Sequence, residues 1–256
     1  MVSPYDFNEA VQHRAEYVDE RLREGSPVVG LKYAGGLLLL STRRTQRKAF
    51  EIYDRLMMSA IGAQADVEAI RIAALDFAHQ EGFARSPDDV TLNRIIGFAL
   101  SPALKKAFGD TWSAPLVYRG VFAELGRKPD LDRFGMLNYD GEFAYTEEYA
   151  VAAGTRYAEE MMVEQLKDAG ADLSLEDAVR AALDAWTLGH HHAATPAIKR
   201  DDDDESGEEQ DLDPAAYLKS HLETAAVEAA ILDRAAPREA KFRLLADDEL
   251  KPLLPA

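Results

Sequence analysis

Residues 28–66 read VVGLKYAGGLLLLSTRRTQRKAFEIYDRLMMSAIGAQAD. Two short β-rich runs, 28–33 and 37–41, are joined by Ala34-Gly35-Gly36, a hairpin signal. A second pair of runs, 50–53 and 56–61, follows at once. The glycine pair suits a hairpin better than a phosphate cradle, because no Walker A or GxGxxG spacing accompanies it. The fold therefore begins with strands in pairs.

Upstream, Ala10, Val11, Ala15, Val18 and Leu22 recur at helical spacing and predict an amphipathic helix over 8–24, stopped by Gly25. Downstream, 65–80 is helical, with Ile70, Ala73, Ala74 and Phe77 on one face. A mostly helical stretch over 88–108 follows Ser86-Pro87. Strands are then expected at 115–125, 134–139, 142–146 and 149–153, with Asp140-Gly141 as the turn between two of them. Helices are expected at 155–169 and 174–188. Ser174 and Asp177 give the second a capping-box-like start, and its buried stripe is Leu175, Ala178, Val179, Ala182, Leu183 and Trp186. Strands near 224–233 and 241–245 and a short helix near 247–254 complete the chain. Grouped strands separated by helix pairs argue against alternating βαβ units. They predict an α+β fold of two antiparallel sheets face to face, with helix pairs on both outer faces. No internal boundary appears, so 1–256 is expected to be a single domain.

The chain has 256 residues and 47% hydrophobic content, enough for a full core. No stretch approaches the roughly 18–20 apolar residues of a membrane span, and the N-terminus has no secretory pattern. A cytoplasmic protein is the expectation. There are no cysteines, which excludes disulfides, thiolate metal sites and a cysteine nucleophile. The net charge of −17 repels nucleic acid and anionic membrane, so neither is expected as a partner. Nine acidic residues fall between Asp201 and Asp213. Such a run has nothing to bury, and about 195–214 is expected to be a disordered surface insertion. The alternative, a calcium loop, lacks the EF-hand glycine and terminal glutamate.

His190-His191-His192 could serve a loop metal site together with the nearby aspartates. Adjacent histidines cannot share one helix face, and histidine suits a loop at a helix C-terminus, which is the expectation here. No HExxH or GxSxG pattern occurs. No metal and no cofactor are expected.

The 28–66 stretch resembles the proteasome subunit family. The residues that carry the resemblance are Val29-Gly30-Leu31-Lys32-Tyr33, Gly35-Gly36, Lys48, Ile52, Asp54 and Gly62. It continues through EYAVAAGT at 148–155 and VEAAILDRAAPREAKFRLLADDELKPLL at 227–254, which resembles the end of actinobacterial α-type chains. The resemblance implies the four-layer αββα Ntn-hydrolase sandwich. Catalytic β-type members need an N-terminal threonine whose amine acts as base, with an acid and a lysine assisting. Here the threonine position falls near Gly25-Ser26, the acid position at Thr42, and only the lysine position, Lys48, is filled.

The preceding helix marks the α type. Glu16-Tyr17, eight residues before Gly25, resembles the α-type helix, and Pro4-Tyr5-Asp6 resembles the gate segment, placed at 1–7. The resemblance therefore implies a non-catalytic subunit. It would form a homo-heptameric α-ring, stack on proteasome β-subunits and dock a hexameric ATPase activator. Lys48 would pair with the activator's terminal carboxylate, Gly62 would let the tail backbone approach, and Glu16 and Tyr17 would lie near the gate base. Two other outcomes compete. One is a self-standing Ntn hydrolase processed to Ser26. The other is a stand-alone binding protein using the acidic run.

Overall fold

Both expected hairpins form, and each founds a sheet. β1 (Val28–Tyr33) pairs with β2 (Gly36–Arg43), and β3 (Ala49–Tyr53) with β4 (Leu56–Gly62), all antiparallel. The computed structural model describes residues 4–170, 172–194 and 213–254, with the backbone alone for 4–7. The remaining strands are β5 (Tyr118–Glu124), β6 (Arg133–Asn138), β7 (Phe143–Thr146), β8 (Tyr149–Ala152), β9 (Ala226–Asp233) and β10 (Phe242–Leu244). One sheet has the order β10-β9-β2-β1-β8 and the other β3-β4-β5-β6-β7, five strands each.

The four-leucine run shows why the sheets stack in layers. Leu37 and Leu39 of β2 enter the core between the sheets, whereas Leu38 and Leu40 enter the core under the helices. A strand buried on both faces reads as a continuous apolar run. Each such leucine contributes about 1.5–3 kcal/mol through burial. On β1, Gly30 leaves room for the Phe134 ring from the other sheet, so the two sheets meet closely there.

Helices α4 (Arg156–Leu166) and α5 (Leu175–Ala194) cover the first sheet. Helix α2 (Gln64–Ala84), a π-helical segment Asn93–Leu100 and α3 (Ser101–Gly109) cover the second. This is the α+β sandwich of the Ntn type. Helix α1 (Pro4–Leu22) closes one end, where Val18 and Leu22 insert into the core between the sheets. Helix α6 (Pro214–Leu222) lies beside α5, and α7 (Asp247–Leu250) with a 3-10 turn Lys251–Leu253 ends the described chain.

The structure departs from the sequence expectations at several places. Helix α1 begins at Pro4, inside the segment expected to form a gate. Proline at a first helical turn lacks only an N–H that would be unsatisfied anyway, and its fixed φ suits the helix. Helix α5 runs through the three histidines to Ala194 rather than ending in a loop, because a single glycine at 189 weakens a helix without breaking it. The stretch over 88–108 breaks into the 3-10 turn Pro87–Asp89, the π-helical segment and α3. The expected insertion lies mostly outside the described residues. Its last positions start α6, where the Asp213 carboxylate accepts from Ala215 N and Ala216 N and Pro214 takes the first turn.

Candidate functional site

A cleft of about 270 Å³ opens where the chain leaves α1 for β1. Gly25, Ser26 and Thr42, near the end of β2, line it. Lys48, just before β3, and Gly62, ending β4, line it as well. Four separate stretches of the chain thus converge. The Ser26 hydroxyl lies 2.9 Å from the Thr42 hydroxyl and 3.2 Å from the Ser41 hydroxyl. It also accepts from Trp186 Nε1 at 3.2 Å and Thr42 N at 3.3 Å. Lys48 Nζ donates to the Ser26 carbonyl at 2.8 Å. Desolvation pushes the Lys48 ammonium down to about 8, with the Glu228 carboxylate opposing that shift. The lysine is therefore a partly desolvated cation with two donors still available in an open cleft.

His190 and His221 also line the cleft, backed by an aromatic cluster. The His190 ring stacks on fully buried Trp186, with centroids 4.8 Å apart, and meets His221 at 4.6 Å. His190 Nδ1 shares a 2.7 Å hydrogen bond with the Tyr217 hydroxyl, and His221 Nε2 a 2.9 Å bond with the Thr42 hydroxyl. Burial, then the neighbouring His221, Arg44, Lys48 and His191, push His190 down to about 4. Burial and Arg44 lower His221 as well. Both imidazoles are neutral near pH 7. Among the described residues no three His, Cys, Asp or Glu side chains converge as a metal cluster.

No family model matches the chain. Curated relatives do. The proteasome subunit alpha of Actinosynnema mirum is 30% identical over 249 residues, covering 95% of this chain and 84% of that protein. That of Nocardioides sp. is 30% identical over 256 residues, covering 99% and 88%. That of Kineococcus radiotolerans is 30% identical over 255 residues, covering 99% and 96%. The chain belongs to the proteasome α-subunit family.

In this α-subunit family member, Lys48 and Gly62 share one cleft, together with Ser26 and Thr42. Glu16 and Tyr17 do not line it. They are exposed on α1, where Gln12 donates to Glu16 at 2.9 Å and Arg21 lies over the Tyr17 ring at 5.6 Å. Pro4, Tyr5 and Asp6 form the first turn of the same helix, and their side chains lie outside the described residues. Gly62 has a structural reason of its own. Its φ is +139°, and a Cβ there would run into the Val117 carbonyl oxygen, which accepts from Ala63 N at 2.9 Å. Gly62→Ala should therefore cost about 1–3 kcal/mol whether or not any ligand binds. An unchanged denaturation midpoint would show that the backbone relaxes freely at this position.

The α-subunit cleft also uses residues that sequence reasoning missed. Glu228 on β9 is buried, and its Oε1 accepts from Lys48 N and Ala49 N, each at 2.7 Å. Its Oε2 pairs with Arg43 Nε at 2.7 Å. A charge inside the apolar run Val227–Leu232 was a usable signal, since a buried carboxylate needs partners. Trp186, Tyr217 and His221 carried no comparable signal, because α5 and α6 bring them together from distant positions. Among the described residues no helix is long and apolar enough to cross a membrane.

Proposed function

We propose that this chain is a non-catalytic α-subunit of a bacterial 20S proteasome, working in the cytoplasm. It forms a homo-heptameric outer ring on proteasome β-subunits, gates substrate entry with residues 1–7, and docks the tail of a hexameric ATPase activator at Lys48. Gly62 shapes the tail pocket, and Glu16 and Tyr17 on α1 lie at the gate base. The observation that carries the reading is the state of Ser26. It stands within the chain between α1 and β1, and its hydroxyl is engaged by Trp186 and Thr42. Among the described residues no carboxylate hydrogen-bonds it. Ntn catalysis needs a free α-amine on the nucleophile as base, and helix α1 ahead of Ser26 packs Val18 and Leu22 into the core between the sheets, so freeing that amine would strip part of the core. The lysine remains, free to bind a carboxylate as a charge-assisted pair.

Native mass spectrometry of the chain with its β-type partner, combined with intact mass, tests this. The expected result is a ring-containing particle whose α-type chain retains α1. A mature chain that begins at Ser26 would instead make it a processed hydrolase. A monomer that ignores the β partner would make it a stand-alone binding protein.

The gate assignment has its own test. Deleting residues 2–7 removes the first turn of α1 and everything between it and Met1. Basal hydrolysis of short peptides by the full particle should rise severalfold, with activator-stimulated hydrolysis changed little. No rise would mean that these residues do not close the pore.

A further inference from the structure

The rim of the cleft carries the opposite charge to the chain. Net charge is −17, yet Arg43, Arg44, Arg47 and Lys48 stand within six consecutive positions. They form the connection from β2 to β3, and all four line the cleft. The connection is built rather than loose. The buried Glu228 carboxylate holds Arg43 at one end through an ion pair and the Lys48 and Ala49 amides at the other. Both ends of the loop are thus clasped to β9, which fixes its backbone ends before anything binds and lowers the ordering cost to that of the side chains.

Within this clasp the charges are unequal. Arg43 is neutralised by Glu228. Arg44 and Arg47 are exposed, and among the described residues neither has a carboxylate partner. Glu24 is the one carboxylate lining this cleft among the described residues. Arg43 and Arg47 also line a second cleft behind the loop, beside Glu228 and Asp247, whereas Arg44 lines the first cleft alone. Arg44 is near enough to His190 and His221, which line the same cleft, to lower both imidazoles electrostatically. Arg44 is four positions from Lys48, so their Cα atoms are at most about 14 Å apart, the reach of about four extended residues.

We infer that the 43–48 loop selects a partner whose carboxyl-terminal peptide carries acidic side chains within about its last five residues. This rests on the tail-docking role of Lys48 and adds a specificity to it. The terminal carboxylate meets Lys48 at the base, and acidic side chains behind it meet Arg44 and Arg47 at the rim. A chain this acidic otherwise repels such a peptide, so the loop supplies both local attraction and discrimination against neutral tails.

The test uses the full chain in its assembled particle and fluorescein-labelled octapeptides followed by anisotropy. One peptide is neutral with a free terminal carboxylate. A second carries glutamates at the third to fifth positions from the end, and a third is the acidic peptide capped as the amide. At low ionic strength the acidic free-carboxylate peptide should bind about 3- to 10-fold tighter than the neutral one, the range for two exposed ion pairs. The advantage should vanish by about 0.5 M salt. The double variant Arg44→Gln, Arg47→Gln should erase the preference and keep neutral-peptide binding. Lys48→Ala and amide capping should weaken all binding. Equal binding of both free-carboxylate peptides, still dependent on Lys48, overturns the acidic selectivity and leaves tail docking standing. A preference that survives the double variant places the selectivity elsewhere and also overturns it. Absence of any Lys48-dependent binding overturns tail docking and the inference with it.

Discussion

Lys48→Ala should abolish activator-stimulated proteolysis by the assembled particle while leaving ring assembly intact. The two halves of this expectation have separate physical origins. The side chain's hydrogen bond within the fold is the donation to the Ser26 carbonyl at 2.8 Å. Ser26 lines the cleft, where water can replace the lost donor at little cost. Truncation also removes a desolvated charge, so the stability change should be small. Stimulation is different, because a tail carboxylate would lose its one charged partner at the base of the cleft. Losing a charge-assisted bond there costs about 1.5–3 kcal/mol per tail, and several tails engage one ring. Lys48 also predicts a pH signature. Its pKa is depressed to about 8 by desolvation. The ammonium form binds the tail, so docking is intact below that value and is lost as pH rises through it. Free-peptide affinity should fall about tenfold per unit above it. Lys48→Arg keeps its charge at every accessible pH and should flatten that slope. The ratio of stimulated to basal hydrolysis between pH 7 and 9.5 reads this directly. Full stimulation in an assembled Lys48→Ala particle would sink the pocket assignment.

What could be seen in advance follows the range of the forces involved. β1 was legible to the residue, because its β-rich composition and the adjacent glycines are local properties. The Asp140-Gly141 turn was legible for the same reason, and Gly141 N donates to the Asn138 carbonyl as such a turn requires. The sandwich followed from strand grouping together with the four-leucine run. Winding choices were less visible. The π-helical turns at Asn93–Leu100 have an ordinary amphipathic sequence that packs Ile95, Ile96 and Leu100 into the core of the second sheet, and nothing in it marks the wider winding. Helix α6 was hidden by the acidic run before it, although Asp213-Pro214 is a sound helix start. At the cleft, resemblance brought Ser26, Thr42 and Lys48 into one place, and the structure has them hydrogen-bonded in sequence. The aromatic cluster and the Glu228 clasp come from tertiary approach of α5, α6 and β9. No periodicity within one segment encodes that approach.

Asp132→Ala should cost several kcal/mol of stability, a large loss for a single polar substitution. Asp132 is 2% exposed and accepts three hydrogen bonds. Gly126 N donates to Oδ1 at 2.9 Å, and Arg234 Nη2 reaches Oδ1 at 2.6 Å and Oδ2 at 2.7 Å. Lys32 Nζ stands 3.7 Å from Oδ2 and donates to the Pro129 carbonyl at 2.6 Å. Lys32 belongs to β1 and Arg234 follows β9, both in the first sheet, while Gly126 and Asp132 flank β5 and β6 in the second. One carboxylate therefore ties the two sheets together at the end away from the cleft. Removing it leaves two cations and a buried amide without their partner. Breaking a buried pair from one side costs about 3–5 kcal/mol, against a typical total stability of about 5–15 kcal/mol. The midpoint of thermal unfolding, followed by far-UV circular dichroism, should fall by roughly 10 °C. Asp132→Asn keeps an acceptor for Gly126 N but not the charge, and should fall between the two. The cycle with Arg234→Ala separates the pair from the rest, because removing both partners should cost less than the sum of the single losses. A loss below about 1 kcal/mol for Asp132→Ala would mean that water compensates the two cations, and that the sheets are held at this end by apolar packing alone.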